Sequence, residues 1–348
     1  LWIRWPGRLI DERRVLASKP EFRLDEWPVW GGQIERYISD HHGLRSPLVR
    51  LFNRVCIDIF KTVPGENVLL GREDWLFMGR ERDDLDARRG YRGLDPFELR
   101  EAEAWTDTLV RRREWLAGKG IAYRFLVAPN KATIYPEFLP WGYGNDGKLS
   151  RLDQLKKNLD DLGESLLIDL RQALLRAKGG EAPVYHRSDS HWSPYGAWIA
   201  CSRVISALDV SIPAVPRTEY DLYTGARFGG DLAIAMGLEM DRFADPAWVR
   251  MGRRNSRVSW EKLPDPGPYV RCQRSRNPDA PGGRLLLVHD SFAHELAPFL
   301  AEQFQEVVFV WDWSLGFYPQ IIEAFRPDWV IDEMAERYLH GPVPQNPF

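Results

Sequence analysis

Short apolar runs alternate with longer segments of helical spacing through most of this chain. Residues 123–128 hold Tyr123, Phe125, Leu126 and Val127, a run long enough for a buried strand and too short for a helix. Helical spacing follows at 149–162, a strand at 166–168, a helix at 170–177, a strand at 184–186 and a helix at 193–208. Pro194 falls in the first turn of that last helix, where its missing N–H is not needed. The alternation resumes with a strand at 285–288, a helix at 293–303, a strand at 307–310, a helix at 318–325 and a strand at 329–331. Upstream, Leu99, Ala102, Trp105, Leu109 and Leu116 share one face of a helix at 95–118, which Gly118 and Gly120 close. Strands alternating with helices need crossovers, so the pattern predicts an α/β fold with a mostly parallel central sheet.

Three segments depart from this rhythm. Residues 68–77 read as a β-hairpin with Gly71, Arg72, Glu73 and Asp74 in the turn. Residues 210–283, rich in Gly, Pro and Arg, read as irregular. Residues 1–62 are charged and helical, with Ile34 and Ile38, then Leu48, Leu51, Phe52, Val55 and Ile59, at helical spacing. They are expected to form an N-terminal arm packing on a main body that spans 63–348.

At 348 residues and 44% apolar content the chain can bury a sizeable core. Its 47 Lys+Arg against 50 Asp+Glu leave a net charge of -3 and no basic field, which argues against a nucleic-acid partner. The 15 Trp exceed ordinary usage and suit a core, saccharide-stacking platforms or a membrane-facing belt. Cys56, Cys201 and Cys272 allow at most one disulfide and form no CxxC. No run approaches the roughly 18 apolar residues of a membrane span. The opening Leu1-Trp2-Ile3-Arg4-Trp5-Pro6 reads as a stub left by a removed leader or anchor.

Chemistry concentrates in two places. The strand at 285–288 runs into His289-Asp290-Ser291-Phe292, and Asp189-Ser190-His191-Trp192-Ser193-Pro194 follows the strand at 184–186. Ser291 lies where a parallel strand ends and a helix begins, so free N–H groups and a positive dipole end stand ready for an oxyanion. It also reads as a simple helix cap. Asp189 and His191, two apart in an extended loop, point to one side; they form either a loop polar pair or a base with its orienting acid. A serine opposite that pair tips the balance towards nucleophilic acyl chemistry. His289 and His294 are rival bases, although His289 belongs to the strand end. A metal site from His186, Asp189, His191 and His289 lacks any recognised ligand spacing, and neither a metal nor an organic cofactor is expected.

The Asp189-Ser190-His191-Trp192-Ser193-Pro194 stretch resembles the D-[ST]-H-W-[ST]-P motif of the alginate O-acetyltransferase group, the AlgJ/AlgX-like proteins. Other matches come in the same order as in that group. They include Asp40-His41-His42-Gly43-Leu44-Arg45, the segment 68–77, and Val127-Ala128-Pro129-Asn130-Lys131-Ala132-Thr133-Ile134-Tyr135-Pro136. Gly230-Asp231-Leu232-Ala233, the serine block and Pro327-Asp328-Trp329-Val330-Ile331 complete the set. The resemblance implies a three-layer SGNH-hydrolase-like fold, circularly permuted so that the serine block comes late in the chain. It implies Ser291 as nucleophile, His191 as base and Asp189 as orienting acid. The two-residue Asp189–His191 interval matches the AlgX-like group, whereas ordinary SGNH hydrolases use three; His289 stands where Gly is common.

Around that core, the Ser291 N–H and Asn130 are candidate oxyanion donors, with a turn role as the alternative for Asn130. Lys131 is a candidate for holding an anionic sugar such as a uronate, and Tyr135 and Arg45 are weaker substrate candidates. Trp192, Trp311 and Trp313 either pack or stack on a sugar ring. The reaction the resemblance implies is periplasmic transfer of acetyl groups, through an acetyl-serine, to hydroxyls of an exopolysaccharide. A membrane-bound O-acyltransferase would supply acetyl, other exopolysaccharide-machinery proteins would be partners, and an N-terminal segment absent from this chain would anchor it to the inner membrane. An acetyl-esterase with the same three residues and a non-catalytic polysaccharide-binding scaffold are the alternatives.

Overall fold

A computed structural model describes residues 17–20, 30–41, 44–82, 85–145, 147–208, 212–245 and 248–348. The opening stub, and His42 and Gly43 of the first motif, lie outside them. In chain order, helices α1 (Trp30–His41) and α2 (Arg45–Asp58) lead into the hairpin of β1 (Val68–Leu70) and β2 (Leu76–Met78). Strands β3 (Arg80–Arg82) and β4 (Leu85–Asp86) and the short α3 (Ala87–Tyr91) precede the long α4 (Leu99–Ala117). Next come β5 (Ala122–Ala128), α5 (Lys131–Ile134), α6 (Arg151–Asp161), β6 (Leu167–Asp169), α7 (Arg171–Ala177) and α8 (Pro194–Leu208). An antiparallel pair, β7 (Tyr220–Gly225) and β8 (Trp248–Arg253), flanks α9 (Asp231–Ala235). The last stretch is β9 (Ser259–Lys262), β10 (Arg271–Arg276), β11 (Gly282–His289), α10 (Ala293–Gln303), β12 (Phe304–Trp311), α11 (Pro319–Phe325) and β13 (Trp329–Ala335).

Seven strands form the central sheet in the order β6-β5-β13-β11-β12-β10-β9. The first five run parallel; β10 and β9 add an antiparallel edge. Successive side chains of a strand point to opposite faces, and this sheet buries both. Phe125 and Val127 face one side with Leu286, Val288, Val308 and Val310, where Trp105 and Leu109 of α4 and Leu155 of α6 cover them. Leu126 and Ala128 face the other with Leu285, Leu287, Val307 and Phe309, under Ala200 and Val204 of α8 and Leu296 and Leu300 of α10. Each such buried side chain stabilises the fold by roughly 1.5–3 kcal/mol. The result is three layers, helix–sheet–helix, with the carboxyl ends of β5, β13, β11 and β12 on one edge.

Four sequence expectations change. Leu99 is 76% exposed and takes no part in the α4 face, which begins at Ala102. The 184–186 run is not a sheet strand: Val184 satisfies its backbone on the Tyr135 hydroxyl and the Ser193 N–H, leaving only an isolated bridge between Tyr185 and Trp192. Among its described residues, the segment expected to be irregular holds the four strands β7 to β10, because its short polar alternations pair at the sheet edge and in the β7–β8 ribbon. On α2, Leu48, Leu51 and Phe52 are exposed, as is Ile59 just past its end; Ile57, packed with Leu232, Met236 and Phe243, and Asn53, which donates to Met236 O at 2.8 Å, are its buried residues. Among the described residues no helix is long and apolar enough to cross a membrane.

Candidate active site

Ser291 is half-buried in the turn between β11 and α10. That turn is held by Asp290, whose Oδ1 accepts the Phe292 N–H at 2.8 Å and whose Oδ2 accepts the Ala335 N–H at 2.7 Å. The end of β11 is thereby fastened to the end of β13. Asp290 also donates its own N–H to Glu333 Oε2 at 3.2 Å. Burial pushes both carboxyls up, Glu333 well above the usual range, while Arg337 opposes the shift.

The imidazole of His191 reaches Ser291 from the loop that precedes α8. Its Nε2 stands 2.8 Å from Ser291 Oγ, and its Nδ1 stands 2.8 Å from Asp189 Oδ1. With the proton on Nδ1, the ring donates to Asp189 and accepts from the serine hydroxyl. Asp189 Oδ1 also accepts the His191 N–H at 2.9 Å, and Oδ2 accepts the Asp231 N–H at 2.9 Å. Burial would raise the Asp189 pKa, but the hydrogen bond and charge of His191 outweigh it and hold the carboxyl below the ordinary range. Burial would lower that of His191, but Asp189 holds the imidazole above its ordinary value.

The loop owes its shape to buried braces. Lys131, 3% exposed, donates to the main-chain carbonyls of His186 at 3.1 Å, Arg187 at 2.9 Å and Asp189 at 2.6 Å. Burial lowers its pKa to about 8, against the pull of Asp189 and Asp231. Ser188 Oγ donates to Asp245 and accepts the Gly230 N–H at 2.9 Å. Gly230 runs so close to the loop that a Cβ there would lie 2.4 Å from Asp189 Cβ and 2.6 Å from its Cα. Asp231 is a second carboxylate beside the imidazole: it accepts the Ser190 N–H at 2.7 Å and hydroxyl at 2.6 Å, and its Oδ2 is 3.8 Å from His191 Nδ1.

Several candidates therefore have other work. Lys131 is spent on three carbonyls and does not face an anionic substrate. Tyr135 accepts the Val184 N–H and packs at 4.5 Å on Trp75, inside the core. Trp192 is 1% exposed, donates to Phe292 O at 3.0 Å and meets that ring edge-on, so it packs the serine turn and offers no face to a sugar. Arg45 donates to Ser39 O and lies 3.9 Å from Asp40, among the N-terminal helices. Asn130 lies beyond the carboxyl end of β5, its N–H donated to Glu336. His289 turns edge-on to Phe309 and bonds Asp290 O at 2.7 Å, and His186 stacks on Trp248 at 3.7 Å; neither approaches the serine hydroxyl as His191 does. Asp189, His191 and Asp231 lie close enough together for a cation, yet they spend their facing atoms on N–H and O–H donors and on one another. Asp231 was legible only as part of a motif, because nothing in its spacing shows that it meets Ser190.

A serine at the end of a parallel strand, hydrogen-bonded to a histidine that is in turn hydrogen-bonded to an aspartate of its own loop, has the geometry of nucleophilic acyl-transfer sites, which recurs on unrelated folds. The family described as the SGNH hydrolase-like domain of acetyltransferase AlgX matches residues 68–330, and the chain belongs to that family. It is 26% identical over 190 residues to the probable alginate O-acetylase AlgJ of Azotobacter vinelandii, covering 53% of this chain and 45% of that one. It thus spans about half the length of the curated relatives it matches. Its fold is also similar to Bacillus cereus PatB1 with a sulfonyl adduct, at a TM-score of 0.59 and 14% identity over 80% of this chain and 97% of that one. The O-acetyltransferase domain of Pseudomonas putida AlgJ aligns with a TM-score of 0.51 and 19% identity, covering 82% and 96%.

Proposed function

We propose that this chain is a polysaccharide O-acetyltransferase in which Ser291 carries the acetyl group. The observation behind the reading is the continuous line Ser291 Oγ, His191 Nε2, His191 Nδ1, Asp189 Oδ1, with 2.8 Å at both hydrogen bonds. A serine hydroxyl is a weak nucleophile until a neighbouring base takes its proton. His191 removes that proton as Oγ attacks the acetyl carbonyl of an ester donor. The bond from the acetyl carbon to the donor's leaving oxygen breaks, and that oxygen takes the proton from His191. A glycan hydroxyl then gives its proton to His191 and attacks the acetyl-serine, and Ser291 leaves and is reprotonated. Asp189 fixes the tautomer and supports the imidazolium formed in each half.

The Ser291 N–H, in the turn before α10, and Asn130, beyond β5, are the groups proposed to hold the tetrahedral oxyanion. Membership in the AlgX family, and relatives named as alginate O-acetylases, favour a sugar hydroxyl over water as acceptor. By the same reasoning the setting is the periplasm, with acetyl delivered from a membrane partner. The test is intact-mass spectrometry after incubation with a small acetyl ester. One acetyl group gained by the unmutated protein and absent from Ser291→Ala supports the reading. No adduct and no ester turnover in the folded protein overturns it.

A further inference from the structure

The antiparallel edge of the sheet creates a surface that the acyl chemistry does not use. The α10 helix covers β11 and β12 on one face, but β9 and β10 extend beyond it. A cavity of about 530 Å³ opens there. Its floor is Phe309 and Trp260, whose rings tilt together with centroids 5.4 Å apart, and Trp260 is 45% exposed. Trp311, His289 and His294 of α10 also line it. Lys262, Arg271 and Gln273 rim it. The volume lies within the roughly 300–1,000 Å³ of small-ligand sites, and the lining has their usual make-up, aromatic with a few polar groups.

This cavity shares a wall with the serine turn. His289 is two residues before Ser291, and the His294 N–H donates to Ser291 O at 3.2 Å. The strand register explains the placement. Phe309 of β12 pairs with Gln273 of β10, and Gln273 with Lys262 of β9, so these three share one sheet face. Trp260, opposite Ser275, lies on the same face two residues along.

We propose that this groove binds the acceptor glycan, with a pyranose ring lying on Trp260 and the chain leading past His294 towards Ser291. The inference rests on the acetyltransferase reading. An indole with an open face matches the C–H face of a pyranose, and amide and cationic groups at the rim match its hydroxyl and carboxylate substituents. Glu261 is already held by Arg274 and Arg276, and Arg271 lies 3.6 Å from Asp265, so the cationic character of the rim rests on Lys262, which favours an acidic sugar. Trp260 stands on an edge strand with its ring half exposed but also covers Phe309, so Trp260→Phe, which keeps a ring there, is the control for packing.

The test is titration calorimetry with a hexamannuronate, a cello-oligosaccharide and a chito-oligosaccharide. It is done in the Ser291→Ala background, so that binding is read without any acyl transfer. Binding of at least one, weakened tenfold or more by Trp260→Ala and largely retained by Trp260→Phe, is the expected result. Binding of none of the three, or equal binding by Trp260→Ala, overturns the proposal. Failure of Ser291 to acetylate would overturn the function while leaving this binding result standing.

Discussion

The ammonium of Lys131 donates to the main-chain carbonyl of Asp189 at 2.6 Å, so a buried cation on α5 sets the position of the carboxylate that orients His191. Two further carbonyls, of His186 and Arg187, depend on the same nitrogen. Replacing Lys131 by Met leaves three carbonyls short of a donor, and each such loss costs about 1–3 kcal/mol. We expect Lys131→Met to lower the unfolding free energy by about 3 kcal/mol or more and to slow Ser291 acetylation at least tenfold. Chemical denaturation and acetyl-transfer rates check this; unchanged values for both would mean that the clamp does nothing.

Asp189 holds the His191 pKa above its ordinary value, and in the proposed reaction His191 acts as base only when neutral. Activity should therefore rise with pH through an inflection above about 6.5, the ordinary histidine value. Asp189→Asn removes the charge that raises the imidazole, while burial continues to lower it. The inflection should move to lower pH and the rate should fall about 10⁴-fold, as when a serine–histidine–aspartate triad loses its acid. An inflection that stays in place in Asp189→Asn would show that another group titrates.

Gly230 leaves no room for a side chain against Asp189. Gly230→Ala must displace the loop or the α9 segment, and the serine–imidazole distance with it. We expect at least a hundredfold loss of acetylation with the fold kept, read by activity beside circular dichroism. Asp231→Asn, which keeps an acceptor for Ser190 but removes the second negative charge near His191, should be milder, with a small downward shift of the pH inflection.

His186 and His289 are buried, and burial lowers each to about 4. In the unfolded chain they titrate near 6.5. Between these values the unfolded state binds more protons, so their contribution to stability is present above about pH 6.5 and is lost as pH falls through about 4. Denaturant unfolding from pH 7 to pH 4 should show this decline. His186→Phe, which keeps an aromatic ring against Trp248, should flatten it; an equally steep decline would assign the loss to other groups.

The sequence by itself determined the α/β alternation, because burial on both sides of a parallel sheet writes continuous apolar runs into β5, β11, β12 and β13. It also singled out Ser291, His191 and Asp189, because an extended loop places residues two apart on one side and a strand end exposes a serine. What only the tertiary structure decided concerns partners distant in sequence. Lys131, Tyr135 and Trp192 were legible as polar or aromatic residues near the motifs, but their direction depended on which carbonyls, N–H groups and rings lay opposite. Asp231 meets Ser190 across 41 residues, and Trp260 meets Phe309 across the antiparallel edge. Periodicity records which face of an element is buried; which element covers that face is settled only when the chain closes on itself.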